Sequence, residues 1–414
     1  MRPLRVRPDL CAVLLLLVGG SPASAQALWS EPIVFGDGRV TLGGDASATF
    51  GCATTGGGCG GDTGFFNYSD YEHSTLRMVR VDVSASVKAS GHLSILSEVR
   101  GENGERPRLY ALYARLRPWE KRGFDVQIGR IPPTFGAFAR RTYANDNILI
   151  GYPLAYQYLT SLRSDAIPAN PDELLVMRGR GWLSNFSVGN TRPDRGLPIA
   201  SAFLWDTGIQ VHAATPVVDV AAAVTTGSLS HPLVGDDNAG KQVAGRVALR
   251  PVAGLVVGVS GARGPFLNRT VSLKAGSMVD NGRLVQSAVG ADAEYSRGYY
   301  LVRLETILSN WTIPFVGPPA ADRTLSAFSS SLEGRYKIQP RLYVAARYDH
   351  LGFSTISGTT RTAEWEAPVS RVEVGGGYLL QRNLQLKLSV QRNARDGGRT
   401  TRLTIGAAQL VFWF

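Results

Sequence analysis

The stretch Val79-Arg80-Val81-Asp82-Val83-Ser84-Ala85-Ser86-Val87-Lys88 decides the fold. Side chains alternate sides along a strand, so Val79, Val81, Val83, Ala85 and Val87 share one face, and Arg80, Asp82, Ser84, Ser86 and Lys88 share the other. A strand with one apolar and one charged face suits a half-solvated sheet or the wall of a water-filled barrel in lipid.

The alternation continues outward from this segment in both directions. Phe124, Val126 and Ile128 oppose Asp125 and Gln127; Tyr300, Val302 and Leu304 oppose Arg303 and Glu305. Val344, Ala346 and Tyr348 oppose Arg347 and Asp349; Leu384, Leu386, Leu388 and Val390 oppose Gln385, Lys387, Ser389 and Gln391. About sixteen such segments fit the period-two template, at residues 38–50, 74–88, 91–103, 107–117, 122–131, 203–215, 217–227, 242–250, 253–263, 286–297, 298–310, 324–338, 341–352, 368–380, 383–393 and 400–414. The even count, and tight turns alternating with longer connections, predict an all-β, transmembrane antiparallel β-barrel. In such barrels the tight turns and both termini are periplasmic. Trp119, Phe124, Tyr299, Tyr336, Tyr378, Phe412 and Phe414 cluster toward the tight-turn end, as an interfacial girdle requires. A secreted soluble sandwich or propeller also alternates, but no internal repeat, linker or composition break divides the chain.

The leader supports a secreted destination. Arg2, Arg5 and Arg7 precede the apolar run Ala12–Val18, and Ala23-Ser24-Ala25 offers a small-residue cleavage site, so residues 1–25 read as a signal peptide and 26–414 as the barrel. No later run is long and apolar enough for a membrane helix, which leaves membrane contact to strands. The net charge of +11 suits anion transit, lipopolysaccharide contact or plain solubility. Cys52 and Cys59 flank a Gly-rich stretch, and in an oxidising envelope a disulfide is the natural reading; two free thiols or a two-ligand metal site are the alternatives. Such a small loop would constrain the unfolded chain by about 2–3 kcal/mol.

Three segments carry a family resemblance. The last strand, Ala408-Gln409-Leu410-Val411-Phe412-Trp413-Phe414, resembles the C-terminal signal read by the bacterial barrel-assembly machinery. Phe124-Asp125-Val126-Gln127-Ile128-Gly129-Arg130-Ile131-Pro132-Pro133-Thr134-Phe135-Gly136 and Trp205-Asp206-Thr207-Gly208-Ile209-Gln210-Val211 resemble two segments of the phosphate-selective porin family, with Trp205 where that family usually carries a basic residue. The resemblance implies a homotrimeric channel whose long third loop folds inward.

The connection at 132–202 is far too long for a hairpin and matches that loop; loops of this length are usually functional. Its Arg140, Arg141, Arg163, Arg178 and Arg180, with Arg80, Arg115, Arg117, Arg303 and Arg347 on the wall, are the candidate substrate-binding residues. Guanidinium groups hold phosphate and carboxylate through forked donors. The plainer reading pairs these charges with nearby acids, since lumen-side cations and acids are close to balance. Leu174-Leu175-Val176-Met177 is a candidate extra strand. His212, in alternation with Asp206, allows an Asp/His pair, but no G-x-S-x-G elbow accompanies it, so an outer-membrane hydrolase is the weaker alternative. No metal cluster, phosphate-binding Gly loop, cofactor or nucleic-acid partner is expected. The expectation is a porin passing small hydrophilic, anion-leaning solutes; a plugged or adhesive barrel is the competing class.

Overall fold

Sixteen strands follow from the alternation, in the number and order the sequence predicts. The computed structural model describes residues 31–54, 66, 68, 79–119, 123–238, 240–276, 284–317 and 321–414. The signal peptide and Cys59 lie outside them, so the leader and the Cys52–Cys59 pairing stay expectations. The barrel strands are β1 (Val40–Thr54), β2 (Val79–Lys88), β3 (Leu93–Glu102), β4 (Arg108–Leu116), β5 (Gly123–Ile131), β6 (Asp206–Ala214), β7 (Val218–Thr225) and β8 (Gln242–Val252). They continue as β9 (Leu255–Pro265), β10 (Val285–Arg297), β11 (Tyr300–Phe315), β12 (Ala321–Gln339), β13 (Leu342–Phe353), β14 (Val369–Gln381), β15 (Leu384–Arg395) and β16 (Arg402–Trp413).

Each strand pairs antiparallel with the next, and β1 pairs with β16 from Asp45↔Trp413 to Thr54↔Thr404, closing the sheet. Phe414 completes the seam: its N–H donates to the Gly44 carbonyl (3.0 Å) and its carbonyl accepts from the Gly44 N–H (3.1 Å). A Cβ on Gly44 would meet the Phe414 ring at 2.9 Å and the Asp82 carbonyl at 2.8 Å, so only glycine lets the two ends approach.

The burial pattern is that of a barrel in lipid. Val81, Val83, Ile128, Val259, Val289, Leu388 and Val390 are exposed on the outside, whereas Arg80, Asp82, Asp125, Gln127, Lys387 and Gln391 are buried inside. No described helix is long and apolar enough to cross a membrane, so the strands do so. Turns at 253–254, 298–299, 340–341 and 382–383 mark one end; connections at 132–205, 226–241, 266–284 and 354–368 mark the other. At the tight-turn end Trp119 and Phe124 (5.4 Å between centroids) and Tyr300 and Tyr336 (4.9 Å) form the girdle.

Two features depart from the sequence reading. Leu174–Met177 adds no strand: Pro171–Val176 is a short helix, started by Pro171 and capped by the Asn170 side chain accepting from the Glu173 N–H. And the inner face is not polar throughout. Toward the long-loop end Trp311, Ile313, Leu325, Leu351, Val369, Leu403 and Ile405 point inward into a dry cluster completed by Leu154, Tyr156, Tyr158, Leu162, Ile167, Leu174, Phe186 and Ile199 of the long loop. Each such burial contributes about 1.5–3 kcal/mol, enough to hold the loop inside.

Gly44→Val is expected to strain the seam by about 1–3 kcal/mol and to lower the yield of folded barrel. Gel mobility with and without boiling measures this; an unchanged yield would mean the seam relaxes freely.

Candidate functional site

The site begins where the two family-like segments meet. Ile131 pairs with Asp206 and Gly129 with Gly208, so β5 and β6 form the root of the long loop. Gly129 has φ +129°, and a Cβ there would meet the Leu112 carbonyl at 2.4 Å. Beyond it the alternation slips: Arg130 is buried, its Nε donating to the Trp205 carbonyl (3.0 Å) and its Nη1 to the Leu109 carbonyl. Asp206 accepts from the backbone N–H groups of Thr207 (2.9 Å), Gly227 (3.0 Å) and Leu233 (3.1 Å), pinning the adjacent outer loop. It does not pair with His212. That ring lies between Asp219 (3.1 Å) and Asp125 (3.6 Å) instead.

From this root, residues 136–157 run across the lumen as a strap. On the near side Glu305 accepts from the Ala137 N–H (2.7 Å) and the Ser260 hydroxyl accepts from the Gly136 N–H (3.1 Å). On the far side Glu373 accepts from the N–H groups of Ile150 (3.2 Å) and Gly151 (3.0 Å), while Arg347 donates to the Gly151 carbonyl (2.5 Å) and to Glu373 (2.5 Å). Arg371 binds Asp349 (2.7 Å), Gln157 Oε1 (2.7 Å) and the Tyr152 carbonyl. Arg80 binds Asp82 (2.9 Å), the Thr142 carbonyl (3.1 Å) and the Tyr152 hydroxyl (2.7 Å). Lys387 donates to the Ala144 and Asn147 carbonyls, and the Tyr343 hydroxyl to the Ile148 carbonyl (2.8 Å).

The structure therefore separates the ten candidate arginines. Arg80 and Arg347 are buried against the strap. Arg163 is buried inside the loop, on Asp165 (2.8 Å) and the carbonyls of Ser184 and Arg192. Arg178 joins the loop to Glu364 and Asp396, both at 3.2 Å, and Arg180 is exposed at the outer surface. Arg117 is exposed at a tight turn, where its carbonyl meets His92. Arg115, Arg140, Arg141 and Arg303 remain half-exposed in the lumen. Arg141 pairs with Glu294 (2.8 Å), and Arg303 with Glu294 (3.0 Å) and Glu333 (3.3 Å); Arg115 lies 3.9 Å from Asp125. Among the described residues Arg140 donates only to the Pro133 carbonyl (2.9 Å), with the charges of Arg246, Asp219 and Asp125 around it.

The strap is buried from Asn147 to Arg163, but Arg140, Arg141, Tyr143, Asn145 and Asp146 form a half-exposed to exposed edge. One cavity adjoins this edge and a second lies outward of the strap, beside Leu159. An outer one of about 430 Å³ reaches Arg100 and Tyr110; an inner one of about 420 Å³ reaches Tyr113, Tyr143, Asp146 and Trp205. Arg100 lies over the Tyr110 ring at 3.6 Å and 5.8 Å from the centre of Tyr143, and Tyr110 touches Trp205 at 5.5 Å, so one layer lines both. The sequence hid this layer because Arg108–Leu116 does not alternate cleanly; the β3–β4 register slips between Glu98 and Val99.

Beyond the strap the loop folds against its neighbours at the outer end. Glu366 accepts from the Ser161 N–H (2.7 Å), the Ser161 hydroxyl (2.5 Å), the Gly179 N–H (2.5 Å) and the Ala367 N–H (2.7 Å). Burial still pushes its carboxyl above the usual range. Nothing in the sequence marks this residue beyond its charge. His231, lining the outer cavity, is held below the ordinary imidazole range by burial, against the pull of Asp237, Asp206 and Asp165. Among the described residues, no group of three or more His, Cys, Asp and Glu is placed to hold a metal.

A closed sixteen-stranded barrel with an apolar skin, a charged lumen and a loop strapped inside is the architecture of the outer-membrane porins, and it places the chain in the bacterial outer membrane. Solved structures agree. Salmonella typhi OmpF in complex with daunomycin is similar at TM-score 0.55 and 11% identity, over 92% of this chain and 100% of that one. OmpT of Vibrio cholerae is similar at 0.52 and 10%, over 92% and 100%, and the outer-membrane channel DcaP of Acinetobacter baumannii at 0.51 and 10%, over 93% and 100%. At these identities the likeness is one of fold. Neither a protein-family model nor a curated protein matches the chain.

Glu373→Ala removes the acceptor of the Ile150 and Gly151 N–H groups and one of three acids around Arg347, leaving Glu333 (3.1 Å) and Asp349 (3.2 Å), and is expected to cost about 1–3 kcal/mol, freeing the strap. Limited proteolysis within residues 140–157 of the folded barrel reads the release; unchanged resistance would mean that the other anchors suffice. His231 gives a pH effect of defined sign. Its lowered pKa adds stability to the outer loop above about pH 6.5, lost as pH falls through the folded value. Protection of the amides of residues 226–238, taken as the exchange rate relative to that of the unfolded chain at the same pH, should fall on acidification and lose that dependence in His231→Asn; protection that stays constant with pH in the parent refutes it.

Proposed function

We propose that the protein is a porin that passes small hydrophilic solutes along the exposed edge of its strap, with a preference for anions. The observation that carries this is the state of the charges there. Wall acids Asp125, Asp219, Asp292, Glu294 and Glu333 all have cationic partners within 4 Å, whereas Arg140 has no acid within that distance among the described residues. Arg335, on the same wall, lies over Tyr343 at 5.8 Å and its Nε has no hydrogen-bond partner. Two cations thus lack an acid at contact distance, against the exposed Asp146 on the strap and against Asp45 and Glu305, whose carboxylates are taken up by the strap's Asn145 and Ala137 N–H groups. Of the ten candidates, Arg140, Arg141, Arg115 and Arg303 are the ones along the solute path; Arg80 and Arg347 position the strap, and Arg163 ties the loop beyond it together.

The same reading takes the likeness to phosphate-selective porins as a relationship of the loop root, with phosphate one of the anions admitted. A homotrimer, and insertion by the barrel-assembly machinery through the strand that ends in Phe414, belong to this proposal. The dry core inside the outer half of the barrel favours a second reading, a plugged structural barrel.

Planar-bilayer recording from the refolded protein separates them. Stepwise conductance with chloride preferred over potassium is expected. Arg140→Gln removes a charge worth about 1 kcal/mol at contact distance in water, so the permeability ratio should fall about fivefold. Cation preference in the parent would refute the anion filter, and silence from demonstrably folded barrels would establish the plug.

A further inference from the structure

We propose that the outer rim of the barrel at β15 and β16 is a binding site for the phosphate groups of an anionic lipid in the outer leaflet. The site lies outside the barrel and is separate from the solute path. On β15 the exposed phase runs through Leu388, Val390, Arg392 and Ala394; on β16 it runs through Arg402, Thr404 and Leu410. Arg392 and Arg402 therefore point outward, at the end of an otherwise apolar lipid face. The register, Arg392↔Thr404 and Ala394↔Arg402, makes them diagonal neighbours about 7–8 Å apart. The row continues through Ser370 and His350, whose ring Nδ1 lies 3.0 Å from the Ser370 hydroxyl.

Above this row three outer loops bring four more arginines together. Arg178, Arg180, Arg361 and Arg399, with Gly397 and Gly398, surround a cavity of about 260 Å³. Arg178 is neutralised by Glu364 and Asp396. The guanidinium groups of Arg180, Arg361, Arg392 and Arg402 have no hydrogen-bond or ion-pair partner among the described residues. The nearby strand acids, Asp349 and Glu373, are buried inside the barrel and turned away from this face.

Depth and chemistry select the ligand. An arginine facing lipid costs about 2–4 kcal/mol at the bilayer midplane but only about 0–1 near the interface, and both outward arginines sit at the rim. A forked guanidinium matches phosphate oxygens, and a corner of unpaired cations repels itself unless a polyanion lies against it. The outer leaflet presents such phosphates at this height.

The test uses the whole barrel refolded in phosphatidylcholine vesicles containing bis-phosphorylated lipid A, with retained lipid counted by native mass spectrometry after extraction. Retention is expected for lipid A and not for its dephosphorylated form. It should fall at least about tenfold in Arg392→Gln/Arg402→Gln and recover in part in Arg392→Lys/Arg402→Lys, with single-channel behaviour unchanged. Full retention by the glutamine variant, or equal retention of dephosphorylated lipid, overturns the proposal. So does displacement of lipid A by millimolar inorganic phosphate that is lost in Arg180→Gln/Arg361→Gln, which would make the corner a small-anion site.

Discussion

In hydrocarbon no water is available to satisfy a backbone N–H or carbonyl, and the rest of the structure depends on that constraint. It forces the sheet to close, and closure brings Gly44 and Phe414 together at the seam. Closure in turn gives every strand an outside and an inside, so the alternation beginning at Val79 becomes a lipid face and a lumen. Charges that would be prohibitive outside collect within, where they find one another and the strap.

The inward charges act mainly as a seat. Glu373 and Arg347 hold the two faces of the Ile150–Gly151 segment, one accepting from its N–H groups and the other donating to its carbonyl. A buried pair of this kind contributes little net stability but is costly to break, so it fixes where the strap lies rather than how firmly the barrel folds. Gly151 is part of that placement: a Cβ would meet Gln391 at 2.3 Å and Glu373 at 2.8 Å. With the strap seated against the barrel wall, its free edge, with Arg140 and Arg141, is left beside the strands that carry Arg115 and Arg303.

The strands were legible because lipid and water impose opposite demands on successive residues, and all sixteen appear in the sequence. The interior of the loop was not. Arg163 and Arg140 look alike as letters, yet one is buried on carbonyls and the other faces the lumen, a difference set by contacts with residues distant in sequence. Leu351 and Ile405 read as strand residues with no preferred side, because both faces are apolar where the loop packs, and Trp311 falls just past the segment read at 298–310, which the structure extends to Phe315. Glu366, which gathers four donors, has no local signature. Asp206 shares the inward face with His212, as the alternation predicts, but its partners lie in the next outer loop rather than at His212.

The dry cluster at the outer end has a consequence for how the molecule is made. Its members come from the loop after the fifth strand and from strands as late as the sixteenth, with Leu162 packed in the same cluster as Leu351 and Ile405. Contacts so far apart in sequence form late, since the chain between must first be brought into place. The loop therefore has no home until the final hairpins arrive, and during biogenesis its apolar side chains wait beside a half-built wall. Filling and closing become a single event, and the last strands synthesised decide whether the long loop is ever buried.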